Sequence, residues 1–138
     1  MNVENAIYPD KEQMAGFQQS EDGGTIHIIN LFKYKEKAVY EDGRETDLSG
    51  REAFYLYHHG VQDLLAKVGA RITIEGSVRR MTIGLVDDLW DEVAIAVYPS
   101  RQALMNMMMM PEIAELSAHR AAGLDGQLAI ETVMKQLP

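Results

Sequence analysis

The side chains best suited to chemistry cluster towards the end of the chain. His119 and Arg120 stand side by side at the close of a helical stretch. An imidazole takes up or gives a proton near neutral pH, and a guanidinium grips an anion with paired hydrogen bonds. The pair suits proton transfer on an anionic substrate. It equally suits helix-end chemistry, because cations near a helix C-terminus favour the dipole and its carbonyls. Asn30 is the next candidate. It lies in an apolar stretch beside Ile28 and Phe32, where an amide must find partners once buried. It would orient a substrate carbonyl or phenol, or bond to backbone. Trp90, His58 and Tyr57 complete the set as binding groups.

Other chemistries find little support. The chain has no cysteine, hence no thiolate nucleophile and no Cys-ligated zinc. Adjacent His58 and His59 point in divergent helix directions, so they make a poor metal clamp, and no metal site is expected. No phosphate-binding glycine loop or nucleophile-elbow pattern is present, and no cofactor is expected. Of the methionine run, Met105, Met108 and Met109 are expected to fill irregular core space.

These residues need elements to position them. Glu92 to Tyr98 reads as a strand that is apolar on both faces, therefore a central one. Pro99 ends it, and Ser100 caps a helix from Arg101 to about Met109. Pro111 starts a second helical segment, Glu112 to Ala121, with Gly123 as its stop. Thr25 to Tyr34 is a second strand apolar on both faces, with Asn30 and His27 on opposite ones. Ser49 and Glu52 form a capping box that opens a helix running to Val68 and stopping at Gly69. Gly60, inside it, allows close packing. Ala70 to Ile83 alternates cleanly, with Ile72, Ile74 and Gly76 on one side, which suggests an edge strand with a bend at Gly76. Gln127 to Met134 is the other edge. Asp22-Gly23-Gly24 is a turn. Lys35 to Leu48 is a polar excursion with a tight turn at Asp42-Gly43, read as a small hairpin and a functional lid.

The chain has 138 residues, 46% of them hydrophobic, which suits one domain with its own core. We divide it into an N-terminal helical appendage, residues 1–24, and a domain, residues 25–138. A net charge of −8 disfavours binding to phosphate backbones. No apolar run approaches ~18 residues, and no leader pattern is seen, so no membrane partner is expected and the protein reads as cytoplasmic. The element order β-α-β-β-α-β is that of an α+β, ferredoxin-like antiparallel sheet, with strands one and three central. Helices cover one face of such a sheet. The other is apolar, which predicts a homodimer packed sheet to sheet.

Five segments carry a family resemblance: Asn30 to Tyr34, Ala38 to Arg44, Trp90 to Glu92, Tyr98 to Ser100, and His119 to Leu124. In these the chain resembles the dimeric α/β-barrel superfamily and, more closely, the domain-of-unknown-function 1330 family. The superfamily includes cofactor-free monooxygenases, haem-degrading enzymes, chlorite-dismutase-like proteins, muconolactone isomerases and regulatory ligand-binding domains. In the haem-degrading members an asparagine on the first strand works with a tryptophan and a histidine, to which Asn30, Trp90 and His119 are loosely similar. The resemblance implies a dimeric small-molecule-binding protein or an enzyme of the cofactor-free oxygenase or isomerase type. A non-catalytic regulatory or structural module is the alternative.

Overall fold

Two central strands organise the molecule. The computed structural model describes residues 2–19, 24–135 and 137; most of the turn expected at Asp22-Gly23-Gly24 lies outside them. In chain order the elements are α1 (Lys11–Gln19), β1 (Ile26–Tyr34), α2 (Gly50–Lys67), β2 (Arg71–Ser77), β3 (Glu92–Tyr98), α3 (Arg101–Met108), α4 (Ile113–Gly123) and β4 (Leu124–Thr132). The strands form one antiparallel sheet in the order β2-β3-β1-β4. This is the ferredoxin-like topology, with the two doubly apolar strands in the middle.

Alternation on β1 and β3 decides what meets the helices. Ile26, Phe32, Ala94, Ala96 and Tyr98 are buried, packed against Phe54, Val61, Leu64 and Leu65 of α2 and Met107 of α3. Asn30 has the same parity and pairs with Ala94 and Ala129, so it faces the helices. His27, Ile29, Leu31, Ile95 and Val97 face the other way. Met107, not Met108 or Met109, fills the core; those two are 52% and 80% exposed. The apolar phase of α3 runs through Ala103, Leu104 and Met107, which turns the expected methionines outward.

Ser49 caps α2 as expected: its Oγ accepts from Glu52 N at 3.0 Å, and Glu52 Oε1 accepts from Ser49 N at 2.9 Å. Two close approaches lock α2 to α4. A Cβ at Gly123 would stand 2.3 Å from the Gly50 carbonyl oxygen and 2.7 Å from the Phe54 nitrogen. One at Gly60 would meet only the end of Leu116, at 2.3 Å. Gly123 is therefore a packing residue at the end of α4 rather than a left-handed stop, and Leu124 continues directly into β4. A left-handed glycine does end α2, at Gly69 with φ +75°.

The excursion between β1 and α2 is not a hairpin. Its tight turn exists, with Gly43 N donating to Tyr40 O at 3.1 Å. The segment, however, docks on the end of α4, where the last helix carbonyls need donors. Lys35 N donates to Gly123 O at 2.8 Å and Val39 N to Ala122 O at 3.0 Å. Ala38 and Tyr40 are buried with Ala53 and Ala122. The base of the loop is thus part of the core and not a free lid. β2 also differs from expectation. The register slips between Ile72 and Ile74, so Thr73 is the extra residue, and these two isoleucines lie on opposite faces. Gly76 is not the bend. No helix among the described residues is long and apolar enough to cross a membrane.

Candidate functional site

The last turn of α4, the docked loop and β4 bring the strongest candidates together. His119 Nδ1 lies 2.6 Å from the Tyr40 hydroxyl, the two rings meeting edge to face at 5.5 Å. His119 Nε2 is 3.6 Å from Glu115 Oε1, one helical turn away. Arg44 joins the loop to the helix, donating to Glu115 Oε1 at 2.7 Å and to Asp42 Oδ2 at 2.6 Å; its guanidinium also sits over the Tyr40 ring at 4.6 Å. Hydrogen bonds from Arg44 hold the Asp42 and Glu115 carboxyls below the usual carboxylate range. Burial raises the Tyr40 phenol, with Arg44 opposing it. Tyr40 therefore stays a neutral hydroxyl, and its hydrogen bond with Nδ1 fixes the orientation of the imidazole.

Arg120 points to the sheet side of α4. Its Nη1 donates to Gln127 Oε1 at 2.8 Å, and its Nη2 donates to the Ile7 carbonyl. Gln127 in turn donates to Asn30 Oδ1 at 2.9 Å. The Asn30 amide nitrogen bonds to the carbonyls of Ile28 at 3.2 Å and Ala94 at 3.3 Å. Asn30 is thus held by backbone on one side and orients Gln127 on the other. Tyr57 lies in the layer between α2 and the sheet; burial raises its phenol, and the charge of Arg120 acts against that. Trp90 is nearly covered, at 9% exposure, and its indole N–H donates to Asn5 Oδ1 at 2.8 Å.

Asn30 and Arg120 are therefore linked through Gln127, with Tyr57 close enough to feel the Arg120 charge; His119 adjoins Arg120 in α4 but meets the loop through Tyr40, and Trp90 is tied in through the N-terminal segment. His58 lies apart. It stands at the β2 edge, 3.2 Å from Glu75 Oε2, beside an open groove of about 290 Å³ lined by Gln62, Ile72 and Thr73. Because β2 and β4 are opposite edges, roughly three strand spacings of ~4.8 Å separate this groove from Arg120. Sequence reasoning did not single out Gln127, Glu115 or the N-terminal residues Asn5 to Tyr8. Gln127 carried a usable signal, a polar residue in step with the helix-facing Ala129. Among the described residues no three His, Asp or Glu side chains converge as a metal-ligand set.

A methylated form of the protein RPA0582 is 33% identical, with 96% of each chain covered and a TM-score of 0.87. Another structure of RPA0582, from Rhodopseudomonas palustris and described as of unknown function, is 30% identical and covers 96% of this chain and 100% of its own, at 0.86. The chain belongs to the RPA0582 family. Beyond that family the likeness is one of fold. SnoaB, a cofactor-independent oxygenase from Streptomyces nogalater, matches at a TM-score of 0.53 and 12% identity over 83% of this chain and 96% of its own. A dimeric ferredoxin-like protein of unknown function from Bacteroides fragilis matches at 0.50 and 14%, over 80% and 97%. No family model matches the chain, that of the domain-of-unknown-function 1330 family included. No curated protein matches it either.

Proposed function

We propose that the protein is a homodimeric small-molecule-binding protein, of the cofactor-free oxygenase or isomerase type, with its site around His119 and Arg120. The observation that carries this reading is the pairing of an oriented imidazole with an adjacent guanidinium that meets no carboxylate within 4.0 Å among the described residues. His119 would take a proton from an acidic C–H or O–H of a small organic substrate. Tyr40 would accept from Nδ1–H and so hold the ring in the tautomer that leaves Nε2, on the Glu115 side, as the base. Arg120 would stabilise the oxyanion left behind. The resulting electron-rich anion is what both isomerisation and direct reaction with dioxygen start from. Tyr57 and Trp90 would bound the site, and Asn30 would act by setting Gln127 and hence Arg120. The likeness to a cofactor-independent oxygenase supports the fold of this reading; the chemistry is our inference from the residues.

The dimer rests on the sheet face that the helices leave bare. Ile74 and Ile130 there are 57% and 47% exposed, flanking Ile29 and Leu31 of β1 and Ile95 and Val97 of β3. A face of that size and character calls for a cover, and a second copy meeting it by two-fold symmetry provides one. A second reading, a non-catalytic dimeric module, is favoured by one observation: the Asn30 amide is fully engaged by protein groups. Native mass spectrometry of freshly purified protein separates the parts. A dimer carrying a discrete extra mass that His119→Ala and Arg120→Ala variants lose supports the site. A clean monomer sinks the dimer, and retention of the extra mass by both variants sinks the site.

A further inference from the structure

We propose that the N-terminal residues 5–8 occupy an anion site built on Arg120, and that the site takes a small aromatic carboxylate in their place. The proposal rests on the reading above that Arg120 holds a ligand oxyanion. Its starting point is a contrast with three cations that do meet carboxylates. Arg44 meets Asp42 and Glu115, Lys33 lies 3.2 Å from Asp88, and Arg101 is bidentate on Glu131 at 2.6 and 2.8 Å. Arg120 is half-buried, yet among the described residues its partners are an amide oxygen, a backbone carbonyl and a ring. Dipoles satisfy its donors without neutralising its charge, and a buried charge is costly unless it is paired.

The Gln127 side chain is oriented from the sheet rather than from the N-terminal segment. The carbonyls of Ile28 and Ala94 fix Asn30, Asn30 fixes the Gln127 amide, and Gln127 then presents its oxygen to Nη1. The remaining face of the guanidinium is where residues 7 and 8 lie. Ile7 offers its carbonyl oxygen to Nη2, and the Tyr8 ring stands 5.6 Å from the guanidinium carbon. The Tyr8 hydroxyl donates to Glu41 Oε1 at 2.5 Å. One oxygen acceptor, one aromatic ring and one phenol are thus presented together. A hydroxybenzoate carries the same three features in one molecule, with a full charge and a second oxygen for the fork of the guanidinium.

The segment is held by exchangeable contacts. Ala6 and Gln127 trade backbone hydrogen bonds at 3.2 and 2.8 Å along the free edge of β4. Asn5 accepts from Trp90. Little apolar surface is hidden, since Val3 is 48% and Tyr8 53% exposed. Polar contacts of this kind give way to water at small net cost, so a charged competitor can displace them. Trp90, the single tryptophan, reports the event because it loses the Asn5 oxygen when the segment lifts.

The test titrates full-length protein with 4-hydroxybenzoate, reading affinity by calorimetry and Trp90 emission by fluorescence. Wild type is expected to bind with a red shift of emission. Ala6→Pro, which deletes a donor to Gln127 and loosens the segment, is expected to bind about tenfold more tightly. Arg120→Gln should lose at least tenfold, Arg120→Lys less, and 4-hydroxybenzyl alcohol, which lacks the carboxylate, should bind at least tenfold more weakly to wild type. Should Ala6→Pro fail to fold, Tyr8→Ala in the same titration replaces it. Equal affinity in wild type and the loosened variant, with loss in Arg120→Gln, overturns the displacement and leaves the Arg120 anion site standing. Absence of binding in all three overturns both. Binding undiminished in Arg120→Gln also overturns the proposal.

Discussion

Replacing Gly123 by alanine should destabilise the protein far more than the same change at Gly60, although both glycines sit where α2 and α4 pack together. The Cβ added at Gly123 falls 2.3 Å from the Gly50 oxygen, 2.7 Å from the Phe54 nitrogen and 3.1 Å from the Phe54 Cβ. Two of those three atoms are backbone, so no rotamer change relieves the contact and the helices must part by the order of 1 Å. Overpacking of this kind costs about 1–3 kcal/mol, and contact with backbone on both sides argues for the upper end. Alanine returns up to ~1 kcal/mol of helix propensity, less at a helix end. The net loss is about 2 kcal/mol, or roughly 6–10 °C in Tm for a chain of this size. At Gly60 the added methyl meets only Leu116 Cδ2, which can rotate away, so the propensity gain and the contact nearly cancel. Urea denaturation followed by circular dichroism, at one protein concentration because association shifts such curves, measures both. The separation of α4 would also stretch the bonds from Lys35 and Val39 to the end of that helix, so Gly123→Ala should speed amide exchange in the loop. A Gly123→Ala protein within 0.5 kcal/mol of wild type would refute the reasoning.

Three further outcomes follow from individual contacts. Ser49→Ala removes the capping box and should cost about 1 kcal/mol, read from the same urea midpoints with an unchanged slope. Asn5→Ala removes the acceptor of the Trp90 indole N–H; emission should change while stability falls by no more than ~1.5 kcal/mol, and unchanged emission would contradict the placement of Asn5. The Asp42 and Glu115 carboxyls are depressed by Arg44, so their contribution is complete above the ordinary carboxylate range and is lost as pH falls through the depressed folded values. Protection factors of the amides in residues 40–46, compared with those in the capped start of α2, should therefore be lower at about pH 3 than at about pH 6; equal protection at both pH values would count against the Arg44 clamp.

Much of the fold was legible because its signals are local. The apolar runs at Ile26–Tyr34 and Glu92–Tyr98 can only be central strands, and the Ser49 and Ser100 caps mark where helices begin. What escaped depends on contacts distant in sequence. Strict alternation placed Ile72 and Ile74 on one face, and a single inserted residue at Thr73 undid it; nothing in a period-two pattern announces a bulge. The polar stretch 35–48 looked like a free lid because its composition is that of a loop. Its burial comes from the carbonyls at the end of α4, which a reading of the loop alone does not contain. For the site, His119 and Arg120 were legible by type, and Arg120 does stand in the last turn of α4, as the helix-end reading has it, while the docked loop supplies backbone N–H groups to that end. Tyr40 and Gln127 became visible as their partners only in three dimensions.

The two sides of β4 tie the site to the assembly. Gln127, Ala129 and Glu131 have the parity that faces the helices, and Leu128 and Ile130 face away. This inverts the usual order, in which a strand turns its apolar side to its own core. The polar side is matched from above by cations, Arg120 at Gln127 and Arg101 at Glu131, which require α3 and α4 to stand over β4 with charged rather than apolar ends. The apolar side has no element of this chain over it among the described residues. The proposed arrangement would satisfy both, with the site in the polar layer between β4 and the helices and the apolar face against another copy. Moving the dimer contact to the helix side would cover His119 and Arg120 and leave Ile130 and Ile74 in water, so the proposed pocket and the proposed interface stand on opposite faces of the sheet for the same reason.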